Sequence, residues 1–267
     1  MRLLDRLAAL RRPAEESAPS LAEQMNAAHD ASARGDYATA LAIWGPLAHA
    51  GVARAQGNVG ACFAEGFGVE RDSKLAVHWM TLAAEAGDVI ARRNLAALYF
   101  KGEGVAQDFA RAAELYRAVA EAGDAAAQDM LSWMLLEGEV IPLDHAEARR
   151  WALAAAEQGV AAAMTRLGML YHNALGVERD PKAAVKWWKE GAKRGDADGQ
   201  AMLGAAYHLG AGAPKDRVAA FAWLLRAKAG GSPLAMRFYD VAYTELSPDE
   251  IAEAERRATA PLPEADA

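Results

Sequence analysis

The chain has 267 residues, of which 53% are hydrophobic but only 7% aromatic, and its formal net charge is −7. This acidic balance argues against a nucleic-acid-binding protein, because such proteins normally present a strongly basic face. The single cysteine, Cys62, excludes an internal disulfide framework, so the fold must be stable without covalent cross-links. Beyond the N-terminus, no segment is apolar over a length that would cross a bilayer. We therefore expect a soluble, cytoplasmic protein.

The first segment, residues 1–20, places leucines at helical spacing between arginines. The leucines are Leu3, Leu4, Leu7 and Leu10, and the arginines are Arg2, Arg6, Arg11 and Arg12. This spacing predicts a short amphipathic helix that ends near Pro13. Residues 1–13 could anchor the protein to a membrane surface or to a partner. We favour the other interpretation, a fraying extension with a polar linker, because short helices are marginally stable alone.

A 36-residue repeat organises the rest of the chain, and the stretch from Gly87 to Ala122 is one copy of it. Its opening glycine recurs at Gly51, Gly87, Gly123, Gly159, Gly195 and Gly231. Its aspartate recurs at Asp36, Asp72, Asp108, Asp144, Asp180 and Asp216. A fixed period of this length is the signature of a solenoid. We predict one elongated repeat domain over residues 21–258, including a cap at each end, and a disordered tail over residues 259–267.

The pattern of each copy predicts two helices joined by a glycine-rich turn. In the first helix, small or apolar residues recur at the spacing of one helical face, as at Ala91, Leu95 and Leu98. A column of small residues predicts close approach of a neighbouring helix; it comprises Gly60, Ala96, Ser132, Gly168 and Gly204. A Gly-x-Gly-Val motif then turns the chain, and the aspartate caps the second helix. The fourth copy departs from this motif at Val140, Ile141 and Pro142, and the fifth copy has Ala174 for the first glycine.

The second helix of each copy carries an alanine and, three residues later, a large side chain. These pairs are Ala76 and Trp79, Ala112 and Leu115, Ala148 and Trp151, Ala184 and Trp187, and Ala220 and Trp223. A tryptophan column with one position per repeat is typical of a core rather than of a cofactor site, because aromatic side chains supply much of the burial in an alanine-rich stack. We expect no cofactor.

This combination of Ala-Gln, Leu-Gly, Tyr, Gly-x-Gly-Val, Asp, Ala, Trp and a closing Gly resembles the Sel-one-like repeat, a longer relative of the tetratricopeptide repeat. The resemblance covers roughly residues 21–243. It implies an all-α fold, a right-handed α-solenoid (superhelix) of antiparallel helix pairs, in which the first helices line a concave surface. It also implies a non-enzymatic scaffold or adaptor for proteins, of the kind that serves in signalling, protein quality control and bacterial envelope or host-interaction systems.

Helix geometry places a second set of first-helix residues on the face opposite the core. These candidates are Arg93, Phe100, Lys101, Asp129, Trp133, Leu136, Met169, His172 and His208. Trp133 and Met169 are larger than the alanines usual in their column. We hypothesise that this face binds a partner peptide or helix, with Trp133 as the hot spot. The alternative is that these side chains only fill space inside a tight superhelix.

Catalytic and metal-binding interpretations have less support. His172 and His208 lie 36 residues apart, but no third ligand with suitable spacing joins them, so we predict no metal site. Cys62 falls in the apolar column and is expected to be a small core residue. Some cysteine-rich relatives of the resembled family are linked to β-lactam binding. Their paired cysteines are absent here and no set of Ser, His and acid shares a face, so a hydrolase is disfavoured and we predict no enzyme.

Overall fold

The computed structural model describes residues 18–138 and 140–262. Within these ranges every regular element is an α-helix. The helices are α1 (Leu21–Ala33), α2 (Tyr37–His49), α3 (Ala53–Glu65), α4 (Ser73–Glu85), α5 (Val89–Lys101), α6 (Phe109–Glu121), α7 (Ala125–Glu137), α8 (His145–Glu157), α9 (Ala161–Asn173), α10 (Pro181–Lys193), α11 (Ala197–Leu209), α12 (Arg217–Ala229), α13 (Met236–Thr244) and α14 (Pro248–Thr259). The first twelve form six consecutive pairs. The prediction of an all-α solenoid built from 36-residue helix pairs is therefore confirmed.

The chain divides into two compact units. The described part of the first unit comprises residues 18–94 and 103–105, and the second comprises residues 95–102 and 106–262 without Glu139. Helices α1–α4 lie in the first unit, α6–α14 lie in the second, and α5 contributes residues to both. The amphipathic helix predicted for residues 1–13 lies outside the described residues.

The recurring aspartate caps the second helix of every pair, as predicted. In each pair its carboxylate accepts hydrogen bonds from one or two amides of the first helical turn, which otherwise have no intrahelical partner. The capping residues are Asp36, Asp72, Asp108, Asp144, Asp180 and Asp216. Asp88, Asp124 and Asp196 cap first helices in the same way. The pattern of aspartates thus fixes where most of the helices begin.

The turn after each first helix requires a left-handed backbone. Gly66, Gly102, Gly138 and Gly210 adopt it with φ between +66° and +77°. Ala174 occupies the same position in the fifth copy and adopts the same conformation, with φ of 58° and ψ of 39°. The fifth copy therefore keeps this feature of the turn despite losing the glycine. Because alanine carries a Cβ, the left-handed conformation is less favourable there than for glycine.

The column of small residues brings the two helices of a pair into direct contact. A Cβ added at Gly60 would lie 2.8 Å from Cγ of Met80, and one added at Gly204 would lie 2.9 Å from Cγ of Leu224. A Cβ added at Gly168 would overlap the indole of Trp188. Ser132, the polar member of this column, is fully buried and donates a hydrogen bond to the carbonyl oxygen of Ala148 at 2.8 Å. The predicted role of this column in packing is confirmed.

The tryptophan column is only partly the core that the sequence predicted. Trp151 and Leu115 are buried, but Trp79, Trp187 and Trp223 are only half-buried. The deeply buried large side chains come one residue later in the helix. They include Trp44, Met80, Tyr116, Trp188 and Leu224. These residues follow the buried alanine by four positions rather than three, and four positions place a side chain more directly along the same helical face.

The C-terminal end of the array departs from the regular repeat. Helix α13 begins at Met236, and the preceding residues form turns held by i to i−3 bonds such as that from the Ala235 amide to the Ser232 carbonyl. The final helix has a capping box between Ser247 and Glu250. It runs to Thr259, so it includes the first residue of the predicted disordered tail.

Candidate functional site

In the second unit, the outward faces of α7 and α9 and the start of α11 enclose a cavity of about 320 Å³, which we call the central cavity. It is lined by Trp133, Leu136, Glu137, Ala162, Thr165, Arg166, Met169, Leu170, Leu175, Asp196 and Asp198. Three of the predicted groove residues, Trp133, Leu136 and Met169, therefore meet at one site. The residues that interrupt the alanine column thus share one surface.

Contacts between aromatic rings stabilise the apolar wall of the central cavity. Trp133 is half-buried, and Phe100 meets it with ring centroids 5.7 Å apart and planes inclined at 70°. Phe100 also contacts Phe109 at 5.2 Å. Edge-to-face aromatic pairs stabilise a fixed orientation beyond the effect of burial. The Phe100 ring therefore fixes the position of Trp133, while part of the Trp133 side chain stays accessible.

Met169 supplies the most exposed large apolar side chain of this cavity, with 39% of its surface accessible. A methionine side chain is flexible and polarizable, so it adapts to ligands of different shape. Together, Trp133 and Met169 present an apolar surface that water meets in the free protein. Burying such a surface against a partner is favourable at about 25 cal/mol per Å² of apolar area.

Buried polar contacts fix the floor between α7, α9 and α11. Arg166 and Asp129 form an ion pair in which the side chains are only 12% and 24% exposed. The Thr165 hydroxyl donates to a carboxylate oxygen of Asp196 at 2.6 Å, and the same oxygen accepts from the Gly199 amide at 2.7 Å. These bonds join neighbouring copies of the repeat. They position the cavity floor rather than leave charges available for chemistry.

The rim of the central cavity is acidic. Glu137 and Asp198 are exposed, and both line the cavity. Asp198 accepts a hydrogen bond from the Ser232 hydroxyl at 2.5 Å, which orients its carboxylate. The positive charge of Arg166 is already balanced by Asp129. The cavity therefore combines an apolar wall with an excess of negative charge at its edge.

A second cavity of about 280 Å³, the distal cavity, continues from Met169 toward the C-terminal cap. Its lining comprises Met169, His172, Asn173, Trp188, Met202, Ala205, Ala206, Leu209, Ala211, Arg237 and Phe238. Because Met169 belongs to both cavities, the two form one continuous surface on the second unit. We call this surface, from Trp133 to Phe238, the groove.

The remaining predicted residues have different positions. Phe100 supports Trp133, and Lys101 is exposed at the end of α5. Arg93 is half-buried and belongs to the first unit. His208 was predicted to line the groove, but it is only 8% exposed, and it lies between Phe238, at 6.4 Å between ring centroids, and Glu245, at 3.7 Å from Nδ1. The helix α13 that follows the array covers His208, so this prediction is wrong.

The sequence did not identify the acidic rim or the distal end of the groove. Glu137 lies at the end of the first helix α7, and Asp198 lies in the opening turn of α11, the first helix two copies later. Glu137 and Asp198 occupy different positions in the repeat, so a comparison of equivalent positions does not pair them. The regular spacing of the copies contained the signal, because the first helices of successive copies contribute to the same surface.

Outside the groove, burial shifts the pKa of two titratable side chains. Cys62 is buried, and burial raises the pKa of its thiol. Burial, with a smaller effect of Asp216, also raises the pKa of the Tyr207 phenol. In the described ranges, no three His, Cys, Asp or Glu side chains are grouped so that they could hold a metal ion. None of the described helices has the length and apolar character needed to span a membrane.

The repeated helix pairs and their ligand-sized groove define a protein of the α-solenoid class. The Sel1 repeat family matches five consecutive segments, residues 53–88, 89–124, 125–160, 161–196 and 197–232. The chain therefore belongs to the Sel1 repeat family, which is the Sel-one-like family indicated by its sequence.

The chain is also similar to proteins of known structure. A Sel1 repeat protein from Oxalobacter formigenes has 28% sequence identity and a TM-score of 0.76, with 88% of this chain and 98% of that chain covered. A protective antigen of uropathogenic Escherichia coli with an SLR fold has 22% identity and a TM-score of 0.41, over 88% of this chain and 67% of that one. A Sel1 repeat protein from Klebsiella pneumoniae has 21% identity and a TM-score of 0.47, over 75% and 97%. A search of curated proteins found no match.

Proposed function

We propose that the protein is a non-enzymatic adaptor that binds a peptide or helix of a partner protein in the groove. Sel1 repeat solenoids generally mediate interactions between proteins. The observation that carries the proposal is that Trp133, Leu136 and Met169, which are contributed by two copies of the repeat, meet at one partly exposed cavity. In three other copies the position of Trp133 and Met169 is occupied by alanine, at Ala61, Ala97 and Ala205.

Trp133 has the properties of an interface hot spot. Such residues are often tryptophans that are held rigidly and surrounded by side chains that exclude water. Phe100, which itself packs against Phe109, contacts the indole from one side, and Leu136 and Met169 line the same cavity as Trp133. A bound side chain would cover the indole without requiring the helices to move. This arrangement favours a preformed groove over simple filling of space.

The function test is a selection of binding peptides from a displayed library with the purified chain, followed by measurement of their affinity for variants. Trp133→Ala should weaken binding by about 2 kcal/mol or more, as hot-spot truncations do. The matched control is Leu75→Ala, which removes an apolar side chain that is 40% exposed in the first unit. It should leave the affinity unchanged.

Circular dichroism and thermal melting should accompany the measurement, because Trp133 also contacts Phe100. A loss of less than about 1 kcal/mol in binding with the fold intact would indicate that Trp133 only fills space. Equal weakening by Leu75→Ala would mean that the peptides bind outside the groove. Either result would contradict the proposed function.

A further inference from the structure

We infer that the partner segment carries an acidic side chain, and that Arg237 binds this side chain at the distal cavity. The inference rests on the proposed function, because it specifies the chemistry of the ligand in the same groove. The observation that carries it is a difference between the two cavities. Each cavity is lined by one arginine, and only the arginine of the central cavity is already neutralised by an acid.

The two arginines of the groove differ in exposure and in partners. The side chain of Arg166, in the central cavity, is only 12% exposed and is paired with Asp129. Arg237, in the distal cavity, is exposed and forms no ion pair with any residue in the described ranges. Asp240, three residues later in α13, is also exposed and is not paired with it. Because a guanidinium keeps its charge at physiological pH, Arg237 is available to an acidic ligand.

No acidic side chain competes for Arg237 inside the distal cavity. Among the described residues, those that line this cavity include no aspartate or glutamate, and neither His172 nor Asn173, which also line it, carries a negative charge. The central cavity has the opposite character, because Glu137 and Asp198 are exposed at its rim. An acidic residue of the ligand is therefore attracted at the distal cavity and repelled at the central rim. This contrast fixes the end of the groove at which the carboxylate lies.

Arg237 adjoins apolar surface that water meets in the free protein. Leu209, which lines the distal cavity, is 55% exposed, and Met236, which precedes Arg237 in the chain, is 49% exposed. Met169 and Met202 also line the cavity, and methionine side chains adapt to ligands of different shape. The cavity volume of about 280 Å³ exceeds the roughly 150 Å³ that is enough to hold a benzene ring. The cavity therefore accepts a large apolar side chain of the ligand beside the carboxylate.

The carboxylate belongs to an aspartate or glutamate within the partner segment rather than to a chain end. Exposed apolar surface is present in the cavity at Leu209, and it is present again at Met236, the chain neighbour of Arg237 outside the cavity lining. A segment that covers both side chains continues past the guanidinium, whereas a chain that ended there would leave Met236 in water. The ligand is therefore an acidic residue between large apolar residues.

The test is a selection from a library of random peptides that are joined to the display protein by their C-termini, with the wild-type full chain and the Arg237→Glu chain as separate targets. We expect Asp and Glu to be enriched beside large apolar residues in the wild-type pool. Arg237→Glu should exchange this preference for Lys or Arg, because like charges repel across an interface. The matched control Lys186→Glu reverses an exposed charge of α10 outside both cavities and should keep the wild-type preference.

The strongest wild-type peptide is then synthesised with both ends blocked and titrated into the full chain. Arg237→Gln should weaken its binding about 5-fold, the upper range for one exposed ion pair. Replacing the acidic residue of the peptide by its amide should weaken binding by the same factor. Both changes together should have no larger effect than either one, because they remove a single interaction. Lys186→Gln should leave the affinity unchanged, and thermal melting checks that each variant is folded.

Three results would overturn the inference. They are a wild-type pool without acidic preference, the same acidic preference in the Arg237→Glu pool, and a combined loss of about 25-fold, which would show two independent effects. Binding that requires a free C-terminus would also overturn it, since the carboxylate would then be a chain end. In each case the proposed function stands if binding depends on Trp133. If no peptide is selected at all, the proposed function and this inference fail together.

Discussion

Two adjacent columns of residues on the first helices differ in the side chains that they accept. The packing column contains only small residues, and in the fifth copy it holds Gly168 against Trp188. The groove column is the next residue along the chain and ranges from Ala61 and Ala205 to Trp133 and Met169. One column is restricted because a second helix lies directly against it, whereas the other faces a cavity. Variation is therefore informative about function only in the second column.

The largest expected effect comes from removing a packing side chain next to this pair of columns. Leu167 is fully buried, so Leu167→Ala should destabilise the fold by about 3–4 kcal/mol, through lost burial and a residual cavity. Denaturant unfolding measures the change. Met169→Ala, two residues away, serves as the control and should change stability by less than about 1 kcal/mol, since single exposed apolar side chains contribute little. Similar losses for both would mean that the groove column is also core.

A smaller loss is expected when a methyl group is added to the packing column. The Cβ of Gly168→Ala would overlap the Trp188 ring, so the helices of the fifth pair must separate or the indole must move. We expect about 1–3 kcal/mol of destabilisation, the usual result of overpacking. Thermal melting and the near-ultraviolet dichroism of tryptophan report it. An unchanged melting temperature would show that Trp188 has room to relocate.

The fifth turn offers a gain in stability. Ala174 adopts the left-handed conformation that glycine adopts in the other four turns. Ala174→Gly should therefore stabilise the chain by up to about 1 kcal/mol, because it relieves the Cβ clash despite the greater freedom of the unfolded chain. The reciprocal variant Gly210→Ala should lose a similar amount. If both variants lower the melting temperature, the turn depends on the Ala174 side chain instead.

The smallest effect concerns acid sensitivity at the C-terminal cap. Hydrogen bonds from the Ser247 amide and hydroxyl lower the pKa of Glu250. A lowered pKa means that this contribution to stability is complete above the ordinary glutamate pKa and is lost as the pH falls through the lowered value. The protection factors of the α14 amides, which correct for the intrinsic pH dependence of exchange, should therefore fall at acidic pH. Glu250→Ala should remove that fall relative to wild type, whereas persistence of the full effect would assign it to Glu253.

Much of the fold followed from local rules in the sequence. The period, the aspartate caps and the small column were predicted because each depends on a residue type at one position. The sequence did not determine which face of each second helix is buried. Trp187 and Trp188 both fit an apolar face, and only packing against neighbouring helices selects Trp188 as core. His208 was misplaced because α13, which covers it, belongs to the irregular cap. The rim acids were missed because they come from two copies that are not adjacent and from opposite ends of the first helix.

The second glycine of the turn has a consequence for how such arrays diversify. A Cβ at Gly104 would overlap the backbone of Ser73, and one at Gly212 would overlap the backbone of Pro181. These contacts are made by main-chain atoms of the preceding copy and do not depend on its side chain, which is serine in one case and proline in the other. Adjacent copies can therefore keep the same spacing while their surfaces mutate freely. Substitutions can therefore change the recognition surface of one copy without changing the contacts between copies.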